Sequence, residues 1–200
     1  MVNMGVISNG TTLLDAGALD SGVATGAMTL LSTATASSSS TLSFTSGISS
    51  TYSSYVFKFI NIHPSANSMF GFQTSTNGGS SYGVTATTSF FRAQQHEGGG
   101  SETLAYDTSM DLAQSTSNIR LGRPIETDAD ESLSGTLTIF SPSSGTFVKH
   151  YAYNNSVMGN YIQNAFGGGY FNTTSAINAV KFEFESGNID SGIIKMYGMK

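Results

Sequence analysis

Apolar and polar residues alternate in short segments along this chain, with the two-residue period of β-strands. The clearest case is residues 180–185 (VKFEFE), in which valine and phenylalanine alternate with lysine and glutamate. Gly187, Asn188, Asp190 and Gly192 follow and favour a turn, and residues 193–197 then predict a second apolar strand. We therefore predict a β-hairpin over residues 180–197, with one solvated face on its first strand.

Similar segments recur through most of the chain. Residues 55–62 (YVFKFINI) are apolar on both faces except at Lys58 and Asn61, a pattern typical of a central strand between two layers. Gly, Ser and Asn separate the segments, and helical periodicity is weak throughout. The pattern predicts an all-β fold: an antiparallel, jelly-roll-like β-sandwich over residues 37–200. An up-and-down barrel alternates in the same way and stays open. Further strand candidates are 41–47, 69–76, 132–142, 146–154 and 168–174.

Residues 1–36 have a different character. Turn residues occur every few positions, and the apolar pairs are too scattered for a helix of useful length. We interpret this segment as an extended N-terminal arm that becomes ordered by packing on another protein.

Residues 94–131 interrupt the strand pattern. They include the glycine triplet 98–100 and eight of the thirteen acidic residues, which predicts long loops at one end of the sandwich. If the protein recognises a small ligand, these loops are the expected place. The eight acids are Glu97, Glu102, Asp107, Asp111, Glu126, Asp128, Asp130 and Glu131.

Charged residues are scarce. They make up 10% of the chain, against about a quarter in ordinary soluble domains, and residues 21–57 carry none. We expect copies of the chain or a partner to cover much of its surface, and hence a homo-oligomer.

Charge and composition also argue against several classes of partner. The net charge is −5, and no cluster of Lys and Arg is available to bind nucleic acid. A run of about 18 apolar residues is absent, so membrane insertion is not predicted. The chain has no cysteine, which excludes disulfides and thiolate metal sites.

Motifs for catalysis are not recognisable, and we predict no catalytic residue and no cofactor. His63, His96 and His150 lack both the HExxH spacing of zinc enzymes and a neighbouring GxSxG nucleophile motif, which favours structural or surface roles. A glycoside hydrolase needs two carboxylates that meet in space, and nothing in the sequence selects such a pair.

Two weaker binding signals stay open. Asp128, Asp130 and Glu131 could approach a calcium ion, but the glycine and later glutamate of an EF-hand are missing, so a solvated acidic turn is favoured. Several tyrosines could stack on a sugar, although packing at a subunit interface accounts for them better. These tyrosines are Tyr52, Tyr55, Tyr106, Tyr151, Tyr153 and Tyr161.

Four longer segments carry a resemblance to a known family. They are TGAMTLLSTATAS (25–37), STATASSSSTLSFTSGISSTYSSYVFKFINIHPSA (32–66), SPSSGTFVKHYAY (141–153) and GGYFNTTSAINAVKFEFESGNIDSGIIKMYG (168–198). Together they resemble virion structural proteins of tailed bacteriophages, especially phages of aquatic bacteria such as cyanophages, over about residues 27–200. The ending GNIDSGIIKMYG resembles the closing strand pair of that family.

The resemblance implies a non-enzymatic protein on the surface of the phage particle. Its members are described as tail-fibre, appendage or capsid-associated proteins, and proteins of this kind are often trimers. We therefore expect a homotrimeric tail fibre or appendage whose arm (1–36) docks on other virion proteins and whose loops meet a host-surface glycan or protein. A capsid decoration protein is the alternative, and a glycan hydrolase is a third class.

Overall fold

The computed structural model describes residues 28–100, 102–159 and 161–200, together with the backbone of three short strands nearer the N-terminus. Those three strands, β1 (Val6–Ser8), β2 (Thr11–Asp15) and β3 (Ala18–Leu19), form a small antiparallel sheet of their own. The remaining strands are β4 (Met28–Thr35), β5 (Leu42–Phe44), β6 (Ser54–Pro64), β7 (Phe70–Ser75), β8 (Ala86–His96), β9 (Thr103–Tyr106), β10 (Ile119–Arg120), β11 (Ser132–Phe140), β12 (Lys149–Met158), β13 (Tyr161–Phe171), β14 (Ala179–Phe184) and β15 (Ile189–Met199).

Two antiparallel sheets form a β-sandwich, as the alternation predicts. The large sheet has the order β4-β15-β6-β11-β12-β13-β8-β9, and the small sheet has the order β10-β7-β14-β5. The segment 55–62 lies in β6, between β15 and β11, which confirms that it is a central strand. The second layer covers only one of its faces, because Lys58 and Ile60 are exposed on the other. Since β4 and β9 are edge strands, the described residues do not form an up-and-down barrel. The jelly-roll connectivity stays a prediction.

The core lies between the two sheets, and nine phenylalanines are among its buried residues. Phe182 on β14 is fully buried, and its ring centroid lies 5.2–6.1 Å from the centroids of five other phenylalanines. Three of them belong to the small sheet and two to β6 of the large sheet, so this ring joins the two layers. The five are Phe44, Phe57, Phe59, Phe70 and Phe72.

The prediction of a C-terminal hairpin is wrong. Both of its strands exist, as β14 and β15, but β14 pairs with β5 and β7 in the small sheet, whereas β15 pairs with β4 and β6 in the large sheet. The turn between them therefore crosses from one layer to the other. Gly187 adopts a φ of 74° in this turn. The Asn188 backbone N–H donates to the Ser65 hydroxyl at 2.8 Å, and the Asn188 carbonyl accepts from the Ser65 backbone N–H at 3.0 Å. Ser65 lies in the β6–β7 connection, which crosses in the opposite direction.

The segment 107–125 is also different from the prediction of loops at one end. Met110, Leu121 and Ile125 are buried, because the segment covers the part of the large sheet that β5, β14 and β7 do not reach. The Asn155 side-chain amide donates to the Leu121 carbonyl at 2.9 Å, and the Arg123 backbone N–H donates to Gln163 Oε1 at 3.2 Å. The acidic region thus contributes to the core rather than forming free loops along its whole length.

Glycines 167–169 occupy the middle of β13, opposite two large side chains of β12. Gly167 pairs with Tyr153 and Gly169 with Tyr151, and both tyrosines are buried. A Cβ atom at Gly167 would lie 2.6 Å from the Tyr153 hydroxyl oxygen, and one at Gly169 would lie 2.8 Å from that of Tyr151. The glycines therefore provide the space in which the two tyrosine rings lie.

Part of the predicted N-terminal arm belongs to the sandwich. Residues 28–35 form β4, which pairs with β15 from Met28 opposite Met199 to Thr35 opposite Ile193. Residues 1–27 lie outside the described residues, apart from the backbone of β1, β2 and β3. The anchoring role of the arm stays a prediction.

Candidate interaction surface

The large sheet has one face against the core and one face turned away from it, here called the outer face. Along β12 every second residue is buried, from Lys149 to Val157, and the residues between them are exposed. Residues directly opposite each other on neighbouring strands share a face, so the pairing register identifies the outer positions on every strand. The exposed outer positions of β12 show that no other described element covers this part of the large sheet.

One end of the outer face, on β4, β15 and β6, combines apolar side chains with two lysines. Leu30 is 51% exposed and Ile60 is 39% exposed. Lys58 lies directly opposite Lys195 in the pairing of β6 with β15, and its ammonium group lies 5.5 Å from the centroid of the Tyr197 ring. Among the described residues, no carboxylate lies within 4 Å of either lysine. We call these five residues the lysine patch.

The other end of the outer face, on β13, β8 and β9, is aromatic and aliphatic. The rings of Phe91 and Phe166 are stacked with centroids 5.6 Å apart, and Tyr106 packs edge-on against Phe91 at 5.0 Å. Leu104 is 77% exposed, and Ile162 lies beside it across a shallow groove of about 440 Å³. We call these five residues the aromatic patch.

Two carboxylates lie beside the aromatic patch. Glu102 lines its groove and accepts a hydrogen bond from the Gln95 side chain at 3.4 Å. Asp111 accepts a hydrogen bond from the Tyr106 hydroxyl, and this hydrogen bond raises the pKa of the tyrosine above its ordinary value. Neither carboxylate has a lysine, arginine or histidine within 4 Å among the described residues.

A polar, uncharged stripe on β11 and β12 separates the two patches. Its outer positions are Ser134, Thr136 and Thr138 on β11 and Asn154 and Ser156 on β12. Hydroxyl and amide groups hydrate this part of the sheet without carrying charge. The low charge content of the chain is therefore visible in this stripe of the outer face.

The three histidines lie apart from one another. The His63 ring N–H (Nδ1) donates to the Glu131 carbonyl at 2.7 Å, which fixes the start of β11 against the end of β6. His96 lies near Tyr161, and His150 lies near Tyr170, each at the end of its strand. These contacts are those of structural and surface residues, and none of them joins a histidine to a nucleophilic side chain.

The six tyrosines considered for sugar binding divide into two groups. Tyr55, Tyr151 and Tyr153 are core residues, and the Tyr55 hydroxyl donates to the Ser49 carbonyl at 2.9 Å. Tyr52 and Tyr161 are half-buried. Tyr106 alone of the six is largely exposed, at 45%, and it belongs to the aromatic patch.

The acids of residues 94–131 have different environments. Asp107 contacts Arg92 at 3.4 Å and Arg123 at 2.8 Å, and Ser109 donates to its other oxygen. Burial opposes ionisation of Asp107, but the hydrogen bonds from Ser109 and Arg123 outweigh it and hold the pKa of the carboxyl below its ordinary value.

Asp107→Asn is expected to lower the free energy of unfolding at pH 7 by about 1–3 kcal/mol, because two arginines lose their shared carboxylate. Since the folded pKa is depressed, this stabilisation is complete above the unfolded pKa of about 3.9 and is lost as the pH falls through the folded pKa. Urea unfolding between pH 3 and 7 measures the difference. Glu97→Gln, at an exposed position, is the control, and a pH-independent difference would contradict the prediction.

Glu131, by contrast, is buried without a partner for one of its carboxyl oxygens. Burial, followed by the neighbouring charges of Glu126, Asp128 and Asp130, raises the pKa of this carboxyl. Among the described residues, no group of three or more histidines and acids is arranged to hold a metal ion. The suggested calcium site at Asp128 and Asp130 thus gains no support.

One lysine is completely buried. Lys149, at the start of β12, donates from its ammonium group to the Thr173 carbonyl at 3.2 Å, and burial lowers its pKa. Within the part of the chain that the structure describes, its ammonium group has no carboxylate within 4 Å.

The exposed apolar residues of the two patches were not identified from the sequence. Alternation separates two faces of a strand but does not say which apolar positions a second layer covers. The segments SFFRA (89–93) and TLAY (103–106) carry a sequence signal for such exposed residues, because apolar residues occur on both faces of each.

Comparisons of the chain with models of protein families, with curated proteins and with solved structures find no match. None of the residues that the structure describes forms a helix long and apolar enough to cross a membrane. Structural evidence for a function therefore comes from the outer face of the large sheet.

Proposed function

We propose that this protein is a non-enzymatic structural protein of a phage particle, a tail fibre or particle appendage that works as a homo-oligomer. The observation that carries the proposal is the outer face of the large sheet, which exposes two apolar patches and few charges. Contiguous exposed apolar surface is typical of sites of protein association.

Three further points support this function. The resemblance of residues 27–200 to phage virion proteins provides the biological setting, and trimers are common among such proteins. Residues 1–27, the rest of the proposed arm, lead directly into the edge strand β4, so a docked arm would be joined to the edge of the large sheet. Exposed Tyr106 belongs to the aromatic patch, and Glu102 lines the groove of that patch, where a host-surface glycan or protein could bind.

Self-association is the first consequence to test. The purified chain at micromolar concentration is expected to sediment as an oligomer, with three copies as the expected number, in sedimentation velocity at 0.15 M salt. A single-chain mass at every concentration up to 100 µM would contradict the proposal. Immunogold labelling of intact particles then tests its location, and labelling of neither tail nor head would also overturn it.

Capsid decoration is the alternative for the same architecture. In that case the arm would hold the major capsid protein, and the outer loops would recognise nothing. Copy number per particle distinguishes the two, since gel densitometry would give hundreds of copies for a decoration protein and on the order of a dozen for an appendage.

A further inference from the structure

We propose that copies of this chain associate through the outer face, with the lysine patch of one copy on the aromatic patch of another. The inference rests on the proposed function, because it supposes that the chain self-associates. It adds which surfaces meet and which charges pair.

The apolar content of both patches provides the first argument. Leu30 and Ile60 in one patch, and Leu104 and Ile162 in the other, are large aliphatic side chains that remain in water in the single copy. Covering them is favourable by roughly 25 cal/mol for each Å² of apolar surface removed from water. The groove between Leu104 and Ile162 offers a concave site of about 440 Å³ into which an aliphatic side chain of the other patch can fit.

Charge complementarity selects the partner of each patch. Lys58 and Lys195 lie directly opposite each other, and no carboxylate of the described residues lies within 4 Å of them; like charges at such a cross-strand position are unfavourable. Within the same described part of the chain, Glu102 and Asp111 beside the aromatic patch have no cation within 4 Å. Each patch therefore carries the charge that the other lacks.

Lys58 and Lys195 are separated along their strands from the acidic residues of the same part of the sheet. Asp130 and Asp190 lie with His63 around a polar pocket at one end of β6 and β15. Lys58 and Lys195 lie farther along the same strands, beyond the pair Ile60 and Ile193. The positive charge therefore stands in the middle of the lysine patch, between apolar neighbours.

The charges limit how two copies can meet. Contacts between two lysine patches, or between two aromatic patches, place like charges together and are repulsive. The contact between the two different patches forms twice in a dimer whose twofold axis passes through the polar stripe, and once per copy in a cyclic ring such as a trimer.

Charge exchange tests the interface. Lys58→Glu with Lys195→Glu, and separately Glu102→Lys with Asp111→Lys, should each weaken self-association at least about tenfold, as expected for close charge pairs. All four substitutions in one chain restore opposite charges at the contact, so association should recover to within about threefold of the wild type. Asp128→Lys, a charge reversal away from both patches, is the control and should change nothing.

Sedimentation equilibrium at 0.15 M salt measures the association, and circular dichroism confirms that each variant is folded. Zero-length carbodiimide cross-linking of the wild type, with equal amounts of ¹⁴N- and ¹⁵N-labelled chains, tests the contact without any substitution. It should join Lys58 or Lys195 of one copy to Glu102 or Asp111 of another.

The outcomes separate the two proposals. An oligomer that neither charge reversal weakens, or a fourfold variant that stays dissociated while folded, would overturn the contact between the two patches and leave the proposed function standing. Cross-links between copies that avoid both patches would overturn it as well. A wild-type chain that remains a single copy would overturn the proposed function and this inference together.

Discussion

Phe182→Ala is expected to lower the free energy of unfolding by about 3–5 kcal/mol, the largest loss predicted for any single residue of this protein. The ring is fully buried and lies among five other phenylalanine rings from both sheets. Its removal leaves a cavity that rigid strands on both sides cannot close, so the lost transfer energy and the cavity add. Urea unfolding followed by circular dichroism measures the change, at one fixed protein concentration because association contributes to stability.

Two further variants make this result interpretable. Phe147→Ala removes the same ring at a position that is 72% exposed, and it should change the stability by less than about 0.5 kcal/mol. Phe182→Leu retains most of the volume, so it should remain folded and measurable even if the alanine variant does not fold. Equal losses at positions 147 and 182 would show that the core is not centred on Phe182.

Gly167→Ala is expected to cost about 1–3 kcal/mol, although it adds a single methyl group. The new Cβ would lie 2.6 Å from the Tyr153 hydroxyl oxygen and would also contact the Ser89 carbonyl of the neighbouring strand. Both neighbours are held by sheet pairing on β12 and β8, so relief requires a shift of a strand or a change in the rotamer of a buried tyrosine. Thermal unfolding of the variant and the wild type, at equal protein concentration, provides the comparison.

Gly145→Ala is the matched control for this prediction. A Cβ at Gly145 has nothing within 4 Å, and its φ is not positive, so the same chemical change should be neutral or slightly stabilising. If Gly167→Ala and Gly145→Ala had the same effect, the close packing of Tyr153 against β13 would not be the reason for the glycine.

The alternation along the chain was sufficient to predict the fold class and most of the strands. Residues 42–44 lie in a strand as expected, because a short strand with one buried face imposes a period of two on the sequence. Residues 55–62 and 70–75 also lie in strands as expected. The pairing partners of those strands could not be predicted in the same way. A strand, a turn and a strand have the same pattern whether they form a hairpin within one sheet or a crossing between two sheets, which is why β14 and β15 were wrongly paired.

Two glycine triplets show the same limit. Residues 98–100 form a turn, with positive φ at Gly99 and Gly100, whereas residues 167–169 lie in the middle of β13. The sequence letters are identical in the two places. What distinguishes them is the presence of Tyr151 and Tyr153 opposite the second triplet, and those tyrosines become neighbours of the glycines only when β12 pairs with β13.

The candidate interaction surface depends even more on the tertiary structure. Leu104 and Phe182 are both apolar residues in strands, yet one is 77% exposed and the other is fully buried. The four-stranded sheet and the segment 107–125 cover one face of the large sheet and leave the other uncovered. Lys58 and Lys195 are 137 residues apart in the sequence, and only the register of β6 with β15 places them opposite each other.

The sequence by itself determined that this chain folds into strands with few charges, because the period of two and the composition are local properties that each segment carries alone. The tertiary structure decided which strands pair, which apolar residues stay in water and where the two patches lie. Those features depend on contacts between residues distant in the sequence, and no local pattern specifies such contacts when many strands are equally able to pair.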